Sequence, residues 1–225
     1  MPRPPRFIFG GECYHVLNRA NRGAEIFHSP SDYAAFLTLM AQAQERVHLP
    51  IFAACLMPNH FHLVVRPAAD HDLAQWLGWL MTTHARHYHL KHSTIGRLWQ
   101  GRYKAFHVQS DHYLLAVLRY VERNAMRKNL VTRAEGWRWG SLHWRLSPSS
   151  PLTLETPPLS LPRGWVDWVN QPQTAAELAA IRTSVNRQRP FGDPHWVESK
   201  ARNAGLSQSL VSVGRPRRSR SVPFC

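Results

Sequence analysis

Residues 51–66 read IFAACLMPNHFHLVVR, and this stretch decides the fold. It contains two short apolar runs separated by Pro58-Asn59, a pair that suits the two central positions of a turn. Each run has the length of a typical strand and is shorter than most buried helices. The stretch therefore predicts a buried strand over residues 51–57, a turn, and a second extended segment over residues 60–66.

The flanking sequence supplies further strands and helices. Residues 13–19 suit a first strand, and residues 29–32 (SPSD) predict a helix start, because a capping hydroxyl, an early proline and an acid near the positive helix end follow one another. A second amphipathic helix is expected over 73–81, a strand over 102–108, and a third helix over about 110–128. These elements predict an α+β fold, an antiparallel sheet with helices covering one side.

Two histidines lie within the second extended segment. Side chains alternate along a strand, so His60 and His62 point to one face while Phe61 points to the other. Two imidazoles on one face are able to converge on a metal ion, and histidine is the commonest metal ligand. Strand histidines are also often ordinary surface residues, so the pair alone leaves both interpretations open.

The third helix carries a tyrosine beside its core stripe. At about 100° per residue, Tyr120 and Asn124 lie one turn apart and roughly 80–120° from the centre of the stripe. We therefore expect both side chains at the helix margin, neither buried nor fully exposed. A boundary tyrosine with a packed ring and a solvated hydroxyl fits the same pattern. The stripe itself consists of Leu114, Val117, Leu118, Val121 and Ala125.

Four segments, in order along the chain, resemble the HUH single-tyrosine transposases and, within them, the REP-associated tyrosine transposases. Residues 58–62 (PNHFH) joined to residues 119–124 (RYVERN) form a specific pattern, whereas neither half is specific alone. The resemblance extends over about residues 7–145. It departs from the family at Ala125, where proline is frequent, and at residues 137–141 (WRWGS), where the family has W-P-W-S-S. The four segments are residues 14–23, 57–64, 98–103 and 119–124.

The resemblance implies a ferredoxin-like antiparallel sheet, the HUH endonuclease fold, and a set of site residues. His60 and His62 match the metal ligands of the family, and Asn124 matches the helix residue that completes the metal site. Tyr120 matches the nucleophile. The implied cofactor is a divalent ion, Mg²⁺ or Mn²⁺, which mixed nitrogen and oxygen ligands accept.

The resemblance also implies an activity. It is that of a transposase that cleaves single-stranded DNA hairpins, such as repetitive extragenic palindromes (REP), and leaves a 5′-phosphotyrosine and a free 3′-hydroxyl. A domesticated DNA-hairpin-binding protein without turnover is the alternative, although the presence of all four site residues together favours activity.

The charge of the chain favours a polyanionic partner. The net charge is +14, and arginine supplies 24 of the 28 basic residues. The guanidinium suits bidentate phosphate contacts and base stacking, which favours nucleic acid over an anionic membrane. The basic run at residues 214–220 resembles minor-groove-binding tails, although a generic basic tail fits as well. The candidate DNA-binding residues are Arg19, Arg22, Arg97, Trp99, Arg102, Tyr103, Lys104, Arg127, Arg215, Arg217 and Arg218.

The chain is predicted to comprise a transposase domain over residues 1–145, a proline- and serine-rich linker over 146–163, and a basic C-terminal extension over 164–225. Helices are expected in the extension over 174–187 and 194–204. The longest apolar run is too short to span a membrane, and three widely spaced cysteines suit a reducing compartment. We therefore expect a cytoplasmic, nucleoid-associated protein, either a monomer or a homodimer.

Other interpretations fit less well. No histidine is followed by arginine three residues later, as in tyrosine recombinases, and only nine acids lie in residues 1–145, which disfavours a carboxylate-triad transposase. A TIM-barrel metallohydrolase needs about 250 residues of repeated βα units. The histidines of the second helix are interpreted as the polar face of a helix end rather than as a second metal cluster; they are His84, His87, His89 and His92.

Overall fold

The computed structural model describes residues 8–147, 150 and 152–211. The strands are β1 (Cys13–Arg19), β2 (Ile51–Met57), β3 (His60–Val65) and β4 (Lys104–Val108). The helices are α1 (Pro30–Arg46), α2 (Asp72–His92), α3 (His112–Glu122), α4 (Asn124–Arg127), α5 (Ser141–Leu146), α6 (Trp165–Asn170), α7 (Ala175–Arg187) and α8 (Pro194–Asn203). Within these described ranges, no helix combines the length and the apolar character needed to cross a bilayer.

The four strands form one antiparallel sheet in the order β2-β3-β1-β4. The central strands β1 and β3 are in register such that Arg19 pairs with His60. The element order β-α-β-β-α-β is that of a ferredoxin-like sheet, to which α3 adds a further helix. The predicted fold class is confirmed, and β2 and β3 are joined by the turn at Pro58-Asn59.

Helices cover both faces of the sheet, so the prediction that they cover one side is wrong. Helices α1 and α2 pack on one face, and α3 packs on the other together with the C-terminal extension. The reason lies in β2, whose side chains are all buried: Ile51 and Leu56 belong to the first core, and Phe52 and Met57 belong to the second. A strand that is apolar on both sides requires cover on both sides. We refer to the α1–α2 face and the α3 face.

The third predicted helix is interrupted and does not run continuously to residue 128. Helix α3 is capped by Asp111, whose carboxylate accepts a hydrogen bond from the Tyr113 backbone N–H at 2.9 Å. At Arg123 the backbone ψ is −1°, far from the value of about −42° in a regular α-helix. Helix α4 then continues as a single turn. The interruption falls between Tyr120 and Asn124.

The segment predicted as a linker packs against the sheet and its helices in its described part. Leu152 is buried in the core of the α1–α2 face, and Leu159 and Leu161 pack on the core of the α3 face. The Glu155 backbone N–H donates to the Ile51 carbonyl at 2.9 Å, on the edge strand β2. The leucines among the prolines supply the apolar surface for this packing, so the described part of the segment is packed on the domain.

Two charged side chains of α3 fasten the C-terminal extension to it. The Arg119 guanidinium donates to the carbonyls of Trp168 and Gln171, both at 2.9 Å. The Trp165 indole N–H donates to the Glu122 carboxylate at 2.6 Å. Two of the extension's helices, α7 and α8, match the predicted helices closely, whereas α6 was not predicted.

Candidate metal and nucleophile site

The two histidines of β3 both face α3. The ring centroids of His60 and His62 lie 5.0 Å apart, with an angle of 84° between the ring planes. Phe61 points the other way, into the core of the α1–α2 face, where its ring contacts Trp99. The predicted alternation is confirmed, and the two imidazoles lie at a separation at which both are able to contact one ion.

Tyr120 approaches these histidines from α3. Its ring centroid is 6.0 Å from that of His62 and 6.0 Å from that of His15. Tyr120 is 6% exposed and Asn124 is 2% exposed, so the prediction that both lie at a partly exposed helix margin is wrong. Arg127 covers the tyrosine ring, and the angular positions of residues on α3 alone do not predict this cover.

Arg127 on α4 joins the tyrosine to the asparagine. Its guanidinium carbon lies 4.0 Å from the centre of the Tyr120 ring, and its Nη1 donates to the Tyr120 carbonyl at 3.2 Å. Its Nη2 donates to Asn124 Oδ1 at 2.8 Å. One guanidinium therefore contacts both predicted site residues of the α3–α4 segment.

The turn before β3 fixes the tautomer of His60. Asn59 Nδ2 donates to the Gly23 carbonyl at 2.9 Å, which leaves Asn59 Oδ1 to accept a hydrogen bond from His60 Nδ1 at 2.7 Å. An amide oxygen only accepts, so Nδ1 carries the proton and Nε2 offers a lone pair. In His62, Nδ1 is engaged with His15 Nε2 at 2.8 Å, which again leaves Nε2 as the nitrogen outside that bond.

Both histidines of β3 are neutral at neutral pH. Burial, followed by the charges of Arg19, Lys128 and Arg127, lowers the pKa of His60 to about 4. Burial also lowers the pKa of His62 well below its usual range, with smaller contributions from His15, His60 and Arg127. A neutral imidazole is the form that binds metal ions, so the site is prepared for that role without a change of protonation.

The donor set suits a divalent ion such as Mn²⁺ or Mg²⁺. It offers two imidazole nitrogens and the carboxamide of Asn124, whose buried Nδ2 has no hydrogen-bond partner in the described part of the chain. No acidic group is among those that shift the pKa of His60 or His62. Among the described residues, no cluster of three or more His, Cys, Asp or Glu side chains is arranged to hold a metal. The three candidate ligands are all neutral, so they would leave the charge of a bound divalent ion uncompensated.

The candidate DNA-binding residues divide into four groups. Trp99 and Tyr103 are only 7% and 8% exposed and belong to the core of the α1–α2 face, so neither ring is exposed to a base in this structure, and their contact with DNA stays a prediction. Trp99 is turned inward because its segment pairs with Ala20, at the end of β1. Arg215, Arg217 and Arg218 lie outside the described residues. The exposed cations are Arg19, Arg22, Arg97, Arg102 and Lys104, while Arg127 is half-buried at the site.

Three residues close to the site were not predicted as part of it. His15 is fully buried, and burial lowers its pKa to about 3. His15 and Asn59 belong to two of the segments that carry the family resemblance, so a sequence signal existed for both. Arg182 of α7 is exposed. The pKa of Arg127 is lowered mainly by the burial of Arg127 itself, and the charge of Arg182 lowers it further. Its position depends on how the extension packs, for which the sequence offers no signal.

Comparison with known proteins gives a family and a fold. The family model for IS200-like transposases matches residues 11–124, half of the chain. No curated protein matches by sequence. A solved structure of a REP-associated tyrosine transposase bound to a REP hairpin superimposes with a TM-score of 0.53 at 14% identity, over 67% of this chain and 88% of that one. A candidate transposase from Deinococcus radiodurans R1 gives a TM-score of 0.38 at 16% identity, over 54% of this chain and 96% of that one.

Proposed function

Because the chain belongs to the family of IS200-like transposases, we propose that it nicks and rejoins single-stranded DNA through Tyr120. The observation that carries this proposal is the position of the tyrosine, whose ring centre lies 6.0 Å from that of His62 although the two residues come from different elements. A phenol beside two neutral imidazoles combines a nucleophile with metal ligands.

Tyr120 is the proposed nucleophile. Its phenol oxygen attacks the phosphorus of a DNA phosphodiester, so that a bond from phosphorus to tyrosine forms and the bond from phosphorus to the 3′ oxygen breaks. The phenol loses its proton to solvent, and the departing 3′ oxygen gains one. The products are a 5′-phosphotyrosine and a free 3′-hydroxyl. Because the linkage remains an ester, a 3′-hydroxyl is able to reverse the step and rejoin a strand.

His60, His62 and Asn124 are the residues proposed to hold the divalent ion, Mg²⁺ or Mn²⁺. When bound, the ion supplies charge neutralisation at a non-bridging oxygen of the phosphate. The chain contributes orientation and protonation state. Asn59 keeps the proton of His60 on Nδ1, and the central position of β3 in the sheet holds both rings in place.

The proposed substrate is single-stranded DNA that contains a hairpin, such as a REP sequence. The net charge of +14 and the exposed Arg19, which is paired with His60 across the sheet, support a phosphate path to the site. A protein of the same fold has been solved bound to a REP hairpin, which supports hairpin DNA as the first substrate to test. We expect the chain to act in the cytoplasm, at the nucleoid.

A denaturing gel with labelled hairpin oligonucleotides and Mn²⁺ tests the proposal. We expect wild-type protein to cut the strand and to remain attached to the labelled fragment. Tyr120→Phe should abolish the covalent adduct while leaving hairpin affinity within about twofold, because the substitution removes only the hydroxyl. Tyr113→Phe is the matched control on the same helix, and its adduct should equal that of the wild type.

The same gel separates the proposal from its alternative. An adduct that persists in Tyr120→Phe and disappears in Tyr113→Phe would assign the nucleophile to Tyr113. Tight hairpin binding by the wild type with no cleavage under Mg²⁺ or Mn²⁺ would instead support a DNA-hairpin-binding protein without turnover.

A further inference from the structure

Arg127 is a half-buried cation that has no acidic partner among the residues that the structure describes. Within residues 8–147 and 152–211, no carboxylate lies within salt-bridge distance of its guanidinium, and burial lowers its pKa. Its hydrogen bonds go to two neutral acceptors, the Tyr120 carbonyl and Asn124 Oδ1. Buried charges in proteins are usually paired with an opposite charge. An unpaired guanidinium beside the candidate nucleophile is therefore suited to an anion that arrives with the substrate.

The Arg127 guanidinium is hydrogen-bonded to the carboxamide oxygen of Asn124, the atom that would bind the metal. Asn124 Oδ1 accepts from Arg127 Nη2 at 2.8 Å, while Asn124 Nδ2 is buried without a partner. Turning the amide over would place Nδ2 against the guanidinium, so that two donors would face each other. The orientation of Asn124 is therefore set by Arg127, and it keeps the carboxamide oxygen next to a positive charge.

We propose that Arg127 binds the scissile phosphate and, until DNA arrives, restrains Asn124 from binding the metal. When the phosphate draws the Arg127 guanidinium away, Asn124 Oδ1 is released and would complete the metal site with His60 and His62. The phosphate also brings the negative charge that these three neutral ligands lack. DNA and metal then strengthen each other's binding. This inference rests on the proposed function of the site.

The coupling is measurable as two affinities in one thermodynamic cycle. With Tyr120→Phe as the background, so that no strand is cut, Mn²⁺ affinity is measured by electron paramagnetic resonance with and without hairpin DNA. We expect hairpin DNA to raise Mn²⁺ affinity at least about tenfold, and Mn²⁺ to raise hairpin affinity by the same factor.

Substitution of Arg127 gives opposite effects on the two ligands. In Arg127→Met, Mn²⁺ alone should bind several-fold more tightly than in the parent, because a cation is removed and Asn124 is released. Hairpin affinity should fall about tenfold or more, and the coupling should drop below about twofold. Arg127→Lys, which retains the charge, should keep part of the hairpin affinity. Arg123→Met removes a neighbouring cation, whereas the described hydrogen bond to Asn124 Oδ1 comes from Arg127, so the coupling in Arg123→Met should equal that of the parent.

The inference would be overturned by an Arg127→Met protein, folded by circular dichroism, whose Mn²⁺ affinity is unchanged or weaker and whose coupling persists. Equal loss of coupling in Arg127→Met and Arg123→Met would also overturn it, since the effect would then be general electrostatics. Coupled binding by a wild-type protein that never forms the adduct would defeat the proposed cleavage while leaving the role of Arg127 supported.

Discussion

Each face of the sheet buries a histidine, and the two differ in almost everything except burial. On the α1–α2 face, His84 packs against Trp99, and its Nδ1 has no hydrogen-bond partner among the described residues. On the α3 face, His62 is hydrogen-bonded to His15 and lies beside Tyr120. Burial lowers the pKa of both His84 and His62. A lowered histidine pKa therefore does not by itself mark the candidate site, and what distinguishes His62 is its hydrogen bond to His15 and its position beside Tyr120.

The largest expected difference between the faces is in the free energy of unfolding, when each of two adjacent residues of β3 is replaced by alanine. Phe61→Ala should lower the free energy of unfolding by about 3–5 kcal/mol, because it leaves a cavity in a core of large apolar side chains. His62→Ala should cost less than about 2 kcal/mol, since it removes one buried hydrogen bond and little apolar surface. Urea denaturation of both variants measures the difference. An equal loss in the two would mean that the α3 face is packed for stability as tightly as its counterpart.

The α3 face depends on the C-terminal extension, and Arg119 tests that dependence. Arg119→Met should lower the free energy of unfolding by about 3 kcal/mol, because carbonyls of residues 168 and 171 lose a charged donor. Limited proteolysis should then cut first within the extension. Arg202→Met, an exposed substitution on α8, serves as the control and should change neither measurement. Unchanged protease resistance in Arg119→Met would show that the apolar contacts alone hold the extension.

The free energy of unfolding should depend more strongly on pH in the wild type than in a variant that lacks His84. Burial lowers the pKa of His84 to about 3, so between about pH 6.5 and that value the unfolded chain binds a proton that the folded chain does not. Above pH 6.5 the ring is neutral in both states and costs nothing. As the pH falls from 6.5 towards 3, protonation of His84 in the unfolded chain lowers the free energy of unfolding. From pH 7 to pH 5, the wild type should lose about 2 kcal/mol more than His84→Phe. Parallel pH profiles of the two proteins, from urea melts, would contradict this.

The smallest expected effect is on the salt dependence of DNA binding, and it is tested with one arginine from each face. Arg182 is exposed on α7 near Arg127, whereas Arg46 is exposed on α1 with its guanidinium over the Trp79 ring. In Arg182→Gln, the plot of log affinity for hairpin DNA against log salt concentration should be less steep by about 0.7. This is the contribution of one phosphate contact in a single strand. Arg46→Gln should leave the slope unchanged. The same decrease in both variants would show that DNA senses only net charge.

The sequence predicted local structure and the facing of the histidines because those depend on neighbouring residues. The apolar runs and the turn at Pro58-Asn59 gave β2 and β3, and alternation placed His60 and His62 on one side. The predicted start of the third helix at about residue 110 agrees with the cap at Asp111. Each of these properties is determined within a few residues of the chain.

Properties set by distant packing were predicted poorly. Trp99 was predicted as a candidate DNA-binding residue because it lies among cationic residues, yet its segment pairs with the end of β1 and its ring is buried in the core. The burial of Tyr120 depends on Arg127, whose side chain folds back over the ring after an interruption in the helix. Helix α6 has little periodicity of its own, since it is only six residues long and is held by contacts to α3.

The fastening of the extension has a practical consequence for anyone shortening the chain. Glu122 is fully buried, and its carboxylate is shared among the Ser141 hydroxyl, the Arg145 guanidinium and the Trp165 indole. A fragment trimmed to the family-matched residues 11–124 would lack all three of these donors, and the carboxylate would lose them two positions from Tyr120, the proposed nucleophile. Recombinant work on the catalytic chemistry should therefore begin with a polypeptide that reaches at least through α6.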